Sequence, residues 1–470
     1  MSATATTEKK YLKWYQKLAY GSGDLASNCS YGLVSSFVLL YLTGTLGLDS
    51  AIIGSLMLAS KVLDGISDVI FGTLIDRTHS KLGKARPWML FGQVGVSLCL
   101  FLLFAIPAGS TTMQYIYFFI VYTALNAVFY TANGIAYSSL VALITKNNNE
   151  RVQLGSFRFM FAVVTNIFMG FAVTGMVEKF GSGAAGWRTT ALIFAIVGLV
   201  VNTISCLAVK ELPEEELSGN TSEAAEEGKA VAEEKKHGFA ETAKILVHNK
   251  YYLMILAIYI VYYIMSNLTT GAGVFCATYY WGDGSLLGQF SMMKMFPVII
   301  ALAIAPVLIK KTGSMQKVNF WGYAISSVLG IPMIYFAIQK NLSMFLLFMF
   351  IKGIFAGTLS GSLNALIAEA SGYTTRTTGI HMDGMMYSCS SLGVKVGGGI
   401  GTAAVGWLLK LGGFVGTATV QSESAIRMIF NLYITFPFVI GIIITVLLAF
   451  LDVEKANKKW DAEHQKEAQA

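Results

Sequence analysis

Apolar runs of about twenty residues, separated by short polar breaks, recur from one end of this chain to the other. A helix of that length crosses the roughly 30 Å hydrocarbon core of a bilayer, and there each segment must satisfy its own backbone amides. The pattern dictates an all-α polytopic membrane protein. Only 13% of the 470 residues are charged and 54% are hydrophobic, against a charged share of about 25% in soluble domains. Twelve spans are expected, near 22–46, 51–75, 88–107, 113–144, 155–177, 187–209, 251–280, 286–309, 318–338, 343–370, 379–409 and 425–451. Between the sixth and seventh lies PEEELSGNTSEAAEEGKAVAEEKK, too polar to enter lipid. Just after it, FAETAKILV at 239–247 is amphipathic and suits a membrane surface. The expected organisation is a six-helix bundle at 1–209, a linker at 210–250, a second bundle at 251–452 and a tail at 453–470. KKTG at 310–313 follows the eighth span as DRTHSK follows the second, a short echo of an internal repeat.

Bases cluster on one side of these spans: Lys9, Lys10, Lys13 and Lys17, then Arg77, Lys81, Lys84 and Arg86, then Lys146, Arg151, Lys310, Lys311, Lys317, Arg376 and Lys455. That bias places both termini and the linker in the cytoplasm. The net charge of +7 is spread over short loops, which argues against a nucleic-acid partner. Residues 1–17 are polar and basic, unlike a cleavable signal. Cys29, Cys99, Cys206, Cys276 and Cys389 all fall in apolar segments and read as packing residues. No phosphate-cradling loop or paired metal-ligand cluster is visible, so ATP-driven transport has no support and no cofactor is expected.

The second span carries charge where lipid tolerates least. Lys61, Asp64, Asp68 and Gly72 share one face at spacings of three and four. An acid at bilayer depth costs about 2.5–3.5 kcal/mol even on the gentler insertion scale. Two on one stripe repel, and a proton, a sodium-sized cation or a lysine relieves them. The stripe reads as a cation site, or as a pair neutralised by Lys61 and a distant base.

In the first span Asp24 and Asn28 share a face with Ser27 and Tyr31 beside them. A carboxylate there can accept from two sugar hydroxyls, or stay solvated at the helix end. In the fourth span Thr131 can add an oxygen to a cation shell or bond its own backbone. Arg158, just inside the fifth, can reach substrate or snorkel. Lys395 in GVKVGGGIGTA has no interface to snorkel to unless it faces a cavity, and it is the obvious partner for Asp64 and Asp68. His381 near Asp383 is either a proton site or part of a gate-lining ion pair. Lys294 and Lys352, taken as lying near span ends, read as snorkelling or paired.

The second span with its following loop, D-x-x-x-D, then G-x-x-x-D-R-T, then G-x-x-R-P-W, ending at Trp88, resembles the glycoside–pentoside–hexuronide:cation symporters of the major facilitator superfamily. This is the family of the melibiose and glucuronide permeases. The resemblance runs from Gly21 to Lys395 and implies twelve helices in two pseudo-symmetric six-helix bundles. It implies a sugar-contacting acid at Asp24, a cation site of Asp64, Asp68 and Thr131 holding Na⁺ or H⁺, and a substrate arginine at Arg158. Lys395 matches the family's lysine of span eleven; Lys395 and Lys61 are expected in coupling, and Asp76, Arg77, His381 and Asp383 in gating. The chain departs from the melibiose permease pattern at Gly134 and Ser138, where an acid and an aromatic are missing, so Asn133 or Tyr137 is expected to substitute. Gly372, Thr375 and His381 also replace charged residues of the family pattern.

The resulting expectation is a sugar:cation symporter of the plasma membrane, working as a monomer by alternating access. The rival readings are a carrier of a lysolipid or other amphipathic anion, a polytopic membrane enzyme using Asp64, Asp68 and His381 as acid–base groups, and a non-transporting sensor.

Overall fold

The computed structural model describes residues 9–213, 239–380, 382–418 and 420–467. Most of the 210–250 linker and His381 lie outside these described residues. Twelve long helices follow one another: α1 (Trp14–Thr45), α2 (Ser50–Asp76), α3 (Arg86–Leu103), α4 (Thr111–Ile144), α5 (Asn148–Lys179) and α6 (Gly183–Leu207). After the linker come α7 (Lys250–Tyr280), α8 (Leu286–Thr312), α9 (Met315–Ile338), α10 (Leu342–Thr378), α11 (Asp383–Leu411) and α12, which runs through Glu423–Phe430, Asn431–Thr435 and Phe436–Phe450. Eleven of them are long and apolar enough to cross a membrane. The twelfth is α2, whose 27 residues reach about 40 Å at 1.5 Å per residue and which carries the charged stripe. Shorter helices at Phe239–His248 and Val453–Glu467 flank the second half.

Local chemistry starts and stops these helices. Asp49, Ser110, Asn147, Asn249, Ser314 and Asn341 each cap the helix that follows with a side-chain oxygen. Pro87 sits in the first turn of α3, where its missing amide hydrogen costs nothing. Gly379, at φ +71°, ends α10. Apolar side chains on the outer faces, among them Val69, Phe91, Leu98 and Phe450, are more than half exposed, as lipid-facing residues must be. All five cysteines are buried.

The chain divides into two compact units. One comprises residues 1–220, 277–288 and 406–425, the other 221–276, 289–405 and 426–470. The expected split at the linker therefore differs at two places, where the α7–α8 turn and the α11–α12 turn join the first unit. Close backbone approach explains the second case. Gly406 lies so near Ser50 that a Cβ would sit 2.2 Å from the Ser50 carbonyl oxygen, and Ser50 Oγ donates to Gly406 O at 2.9 Å. Lys410 Nζ adds an ion pair to Asp49 Oδ2 at 2.6 Å. Burial pushes the Asp49 carboxyl upward, but the Lys410 ammonium and the amides of Ala51 and Ile52 outweigh it and hold the group below the usual carboxylate range. The core of the first unit gathers Tyr20, Met89, Ala136, Leu140, Leu154 and Cys206. That of the second gathers Ile255, Ile258, Leu359, Leu363, Leu366 and Leu448.

Each unit repeats a device that the sequence reading missed. Glu211, four residues after α6 ends, accepts from the backbone amides of Lys84, Ala85 and Arg86 at 2.7, 3.0 and 3.1 Å, closing the N-terminus of α3. Glu454, four residues after α12 ends, accepts from the amides of Met315 and Gln316 at 2.8 and 3.0 Å and from Ser314 Oγ, closing the N-terminus of α9. A carboxylate suits both places, since it meets unpaired amides and the positive end of the helix dipole. In both halves, then, an acid just past the sixth helix caps the third. The first helix of each half also finishes in a π-helical turn, Tyr41–Thr45 and Cys276–Tyr280. These paired details carry the internal duplication further than the KKTG echo.

Gly83 makes the first cap possible. Its φ is +111°, and a Cβ there would lie 2.3–2.5 Å from the Glu211 carboxylate. Glu211→Ala is expected to lower stability by about 1–3 kcal/mol, the range for a lost helix cap and lost charge-assisted bonds. The thermal midpoint of the purified protein checks it, and Glu211→Gln should fall in between. An unchanged midpoint in Glu211→Ala would show the cap to be idle.

Candidate functional site

Two polar clusters lie in the apolar depth of the first unit. The first joins α2 to α4. Lys61, Asp64 and Asp68 are half-buried, while Val62, Ile66, Val69 and Ile70 on the other side of α2 are exposed. The charged stripe thus faces protein and the apolar stripe faces out, as the cost of ions in lipid requires. Thr131 Oγ1 lies 2.6 Å from Asp64 Oδ1, and Lys61 Nζ lies 3.6 Å from Asp64 Oδ2. A π-helical turn over Ala124–Tyr130 precedes Thr131 and brings the Asn126 carbonyl oxygen within 2.9 Å of the same hydroxyl.

The Asn126 carbonyl also accepts from the Thr131 backbone N–H, so the hydroxyl hydrogen is available to Asp64. A threonine hydroxyl has a single O–H, and both neighbours of Thr131 are acceptors while Asp64 is ionised. The Asp64 carboxylate, the Thr131 hydroxyl and the Asn126 carbonyl together offer oxygens to a small cation, and the carboxylate alone can take a proton. Oxygen donors of mixed kind suit a hard monovalent ion. Among the described residues no group of three or more His, Cys, Asp or Glu forms a metal cluster.

The second cluster joins α1 to α5. Arg158 Nε donates to Asp24 Oδ2 at 2.6 Å, and the Arg158 guanidinium lies 4.2 Å over the Tyr137 ring. The side chains of Arg158 and Asp24 remain 26% and 18% exposed, so this pair is not sealed in the core. Asp24 Oδ1 accepts no hydrogen bond among the described residues. Asn28 Nδ2 donates to the Asp24 carbonyl at 2.7 Å, and Asn166 Nδ2 donates to Asn28 Oδ1 at 2.9 Å. Asn166 was missed in the sequence, although it stands eight residues after Arg158 on the same face of α5. Tyr31, one turn beyond Asn28, stacks on Tyr130 with ring centroids 5.7 Å apart. The two rings offer an aromatic surface in place of the one missing at Ser138.

Two expected ligand residues are placed otherwise. Asn133 is 2% exposed, and its Nδ2 donates to the Met89 carbonyl at 2.8 Å, with Gln93 and Asn202 at 3.4 and 3.5 Å. It holds α3, α4 and α6 together and faces no ligand. Tyr137 is also 2% exposed; its hydroxyl donates to the Tyr20 carbonyl at 2.8 Å while Tyr20 Oη donates to the Tyr137 carbonyl at 2.5 Å. Its ring supports Arg158, and its hydroxyl is spent on backbone.

Of the expected gating residues, Asp76 and Arg77 end α2 exposed, without an ion pair among the described residues. The loop's structural base is Arg86 instead, 8% exposed, with Nε donating to the Cys206 carbonyl at 3.2 Å and Nη1 to that of Leu82 at 3.3 Å. Asp383 opens α11. Lys395 lies in the middle of α11, in the second unit.

Comparison with known proteins agrees with this architecture. An isoprimeverose transporter of Lactiplantibacillus pentosus is 26% identical over 466 residues, covering 98% of this chain and 93% of the relative. A putative glycoside/cation symporter of Escherichia coli, YagG, is 24% identical over 94% of this chain and 92% of its own length. Among solved structures, a bacterial homologue of the human lysosomal transporter Spinster superposes with a TM-score of 0.69 at 13% identity, covering 95% of this chain and 98% of that one. A family profile described as MFS/sugar transport protein matches residues 19–455. With nearly the whole chain inside that match, the protein belongs to the MFS/sugar transport family and has the major facilitator fold.

Proposed function

We propose that this protein is a sugar:cation symporter of the cytoplasmic membrane, with both termini in the cytoplasm, working as a monomer by alternating access. It is a transporter and not an enzyme. The observation that carries the reading is the cluster of Asp64, Thr131 and Asn126 oxygens at membrane depth, which supports a site for a proton or Na⁺. The names of the relatives, an isoprimeverose transporter and a glycoside/cation symporter, support a glycoside as cargo.

Asp64, Asp68 and Thr131 would hold the coupling ion, with Lys61 as an exchangeable countercharge. The sugar would meet Asp24 Oδ1 as acceptor, Arg158 as donor and Asn28 beside them. The Tyr31–Tyr130 surface would take its apolar face. Lys395 would act in coupling, since a base at bilayer depth competes with a cation for the same acids. Coupling demands that each ligand bind more tightly once the other is present.

Uptake of a panel of labelled glycosides into proteoliposomes, with an imposed sodium or proton gradient, tests the proposal. Accumulation above the outside concentration is expected with one gradient and is lost when an ionophore collapses it. Uptake that equilibrates and ignores both gradients would refute symport.

A further inference from the structure

The second unit holds a cavity of about 180 Å³ that the sugar and cation sites do not use. It lies among α7, α8, α9, α10 and α12, and its wall includes Lys294, Lys352, Tyr323, Ser326, Thr269 and Phe438. Snorkelling does not account for the two lysines. They lie eight and ten residues inside α8 and α10, about 12 and 15 Å along the helix axes. Both helices enter from the same short-loop side, so the two ammonium groups sit at similar depth.

Among the described residues no carboxylate lines this cavity. Lys294 Nζ reaches only the hydroxyls of Thr269 and Thr270, at 3.3 and 3.2 Å. Those hydroxyls already donate to carbonyls one turn back. Lys352 has no hydrogen bond or ion pair among the described residues. The Tyr323 hydroxyl, on a residue 2% exposed, is buried and has no partner either. Buried polar groups are paired in folded proteins, and an unpaired ammonium in hydrocarbon is among the costliest arrangements. Every orphaned group here can donate, and a lysine ammonium cannot accept. What is missing is an acceptor with negative charge.

From this we infer that the cavity is a binding site for a compact oxoanion, held by Lys294, Lys352 and Tyr323. At about 180 Å³ the cavity has room for an inorganic oxoanion or a short carboxylic acid. The anion is either inorganic or the carboxylate of an organic acid, and both would meet the same three donors. The inference goes beyond sugar transport and does not depend on it.

The test reads binding, not flux. The purified full-length protein is melted in detergent at constant ionic strength while chloride is replaced by phosphate, sulfate, acetate or lactate. A saturable rise of the midpoint is expected, since a ligand that binds only the folded state stabilises it by mass action. A response to phosphate and sulfate identifies an inorganic ligand, and a response to acetate and lactate a carboxylate. Lys352→Gln should lose the response, with a midpoint in chloride no lower than wild type because an uncompensated charge has gone. Lys352→Arg should keep it, and Tyr323→Phe should weaken the apparent affinity several-fold. If Lys352→Gln cannot be purified, Lys294→Gln takes its place. A wild-type midpoint indifferent to all four anions, or a lysine-to-glutamine variant that responds as wild type does, would overturn the assignment.

Discussion

Asp64→Asn is expected to abolish uphill accumulation of sugar while leaving exchange of sugar across the membrane measurable. The amide keeps the shape of the side chain and can still accept from Thr131 Oγ1, which lies 2.6 Å from Asp64 in the wild type. It cannot bind a proton in the relevant range, and it offers no charge to a cation. A charge-assisted contact of this kind is worth about 1.5–3 kcal/mol, or about ten- to a hundredfold in ion affinity. Lys61 should then lose the counter-ion it faces at 3.6 Å and cease to compete for the site. Thr131→Val separates the contributions, since it removes one neutral oxygen and leaves the acid pair. It should raise the ion concentration needed for half-maximal uptake and preserve accumulation at saturation. Asp68→Asn should resemble Asp64→Asn. Measuring the steady-state accumulation ratio and equilibrium exchange in the same vesicles gives both quantities. Accumulation by Asp64→Asn at the wild-type ratio would remove the ion from this place.

Much of this site was legible before the fold. The stripe of Lys61, Asp64 and Asp68 follows from helical spacing and the cost of charge in lipid, and the family resemblance added Thr131. The π-helical turn that brings Asn126 to Thr131 was not legible, because nothing in ALNAVFY distinguishes a five-residue from a four-residue hydrogen-bond step. The errors share one cause. Helical arithmetic says which residues share a face but not whether that face meets a cavity or another helix. Asn133 and Tyr137 lie on a face packed against α3 and α1, so their polar groups are consumed by neighbouring backbone. Lys294 and Lys352 were misread for a related reason. Their depth becomes clear only once the starts of α8 and α10 are fixed, and their missing countercharges only once five helices are placed beside them. Glu211 and Glu454 sit in polar stretches where an acid is unremarkable by itself, and only their identical offsets from α6 and α12 make them a pattern.

For the Asp24–Arg158 pair, the expected result is that removing both charges restores protein but not transport. Arg158→Gln leaves Asp24 ionised in a half-buried place without the donor now 2.6 Å away. Asp24→Asn leaves a guanidinium over the Tyr137 ring without its carboxylate. Breaking one side of a buried pair costs about 3–5 kcal/mol, and the 18–26% exposure here reduces that toward the lower end. Each single variant should therefore lose thermal stability and yield. The double variant Asp24→Asn with Arg158→Gln has no stranded charge, so its midpoint should return most of the way to wild type, a positive coupling energy in the sense of a double-mutant cycle. Sugar affinity should not return. The free Asp24 Oδ1 acceptor and the guanidinium fork are absent, and an arginine at such a site is not replaced even by lysine, whose single ammonium lacks the planar donor geometry. Arg158→Lys should accordingly be stable and weak in sugar binding. The cycle discriminates between a latch and a binding pair, because a latch would recover transport together with stability. Wild-type sugar affinity in the double variant would show that Asp24 and Arg158 only hold α1 to α5, and the sugar would have to be sought elsewhere in the fold.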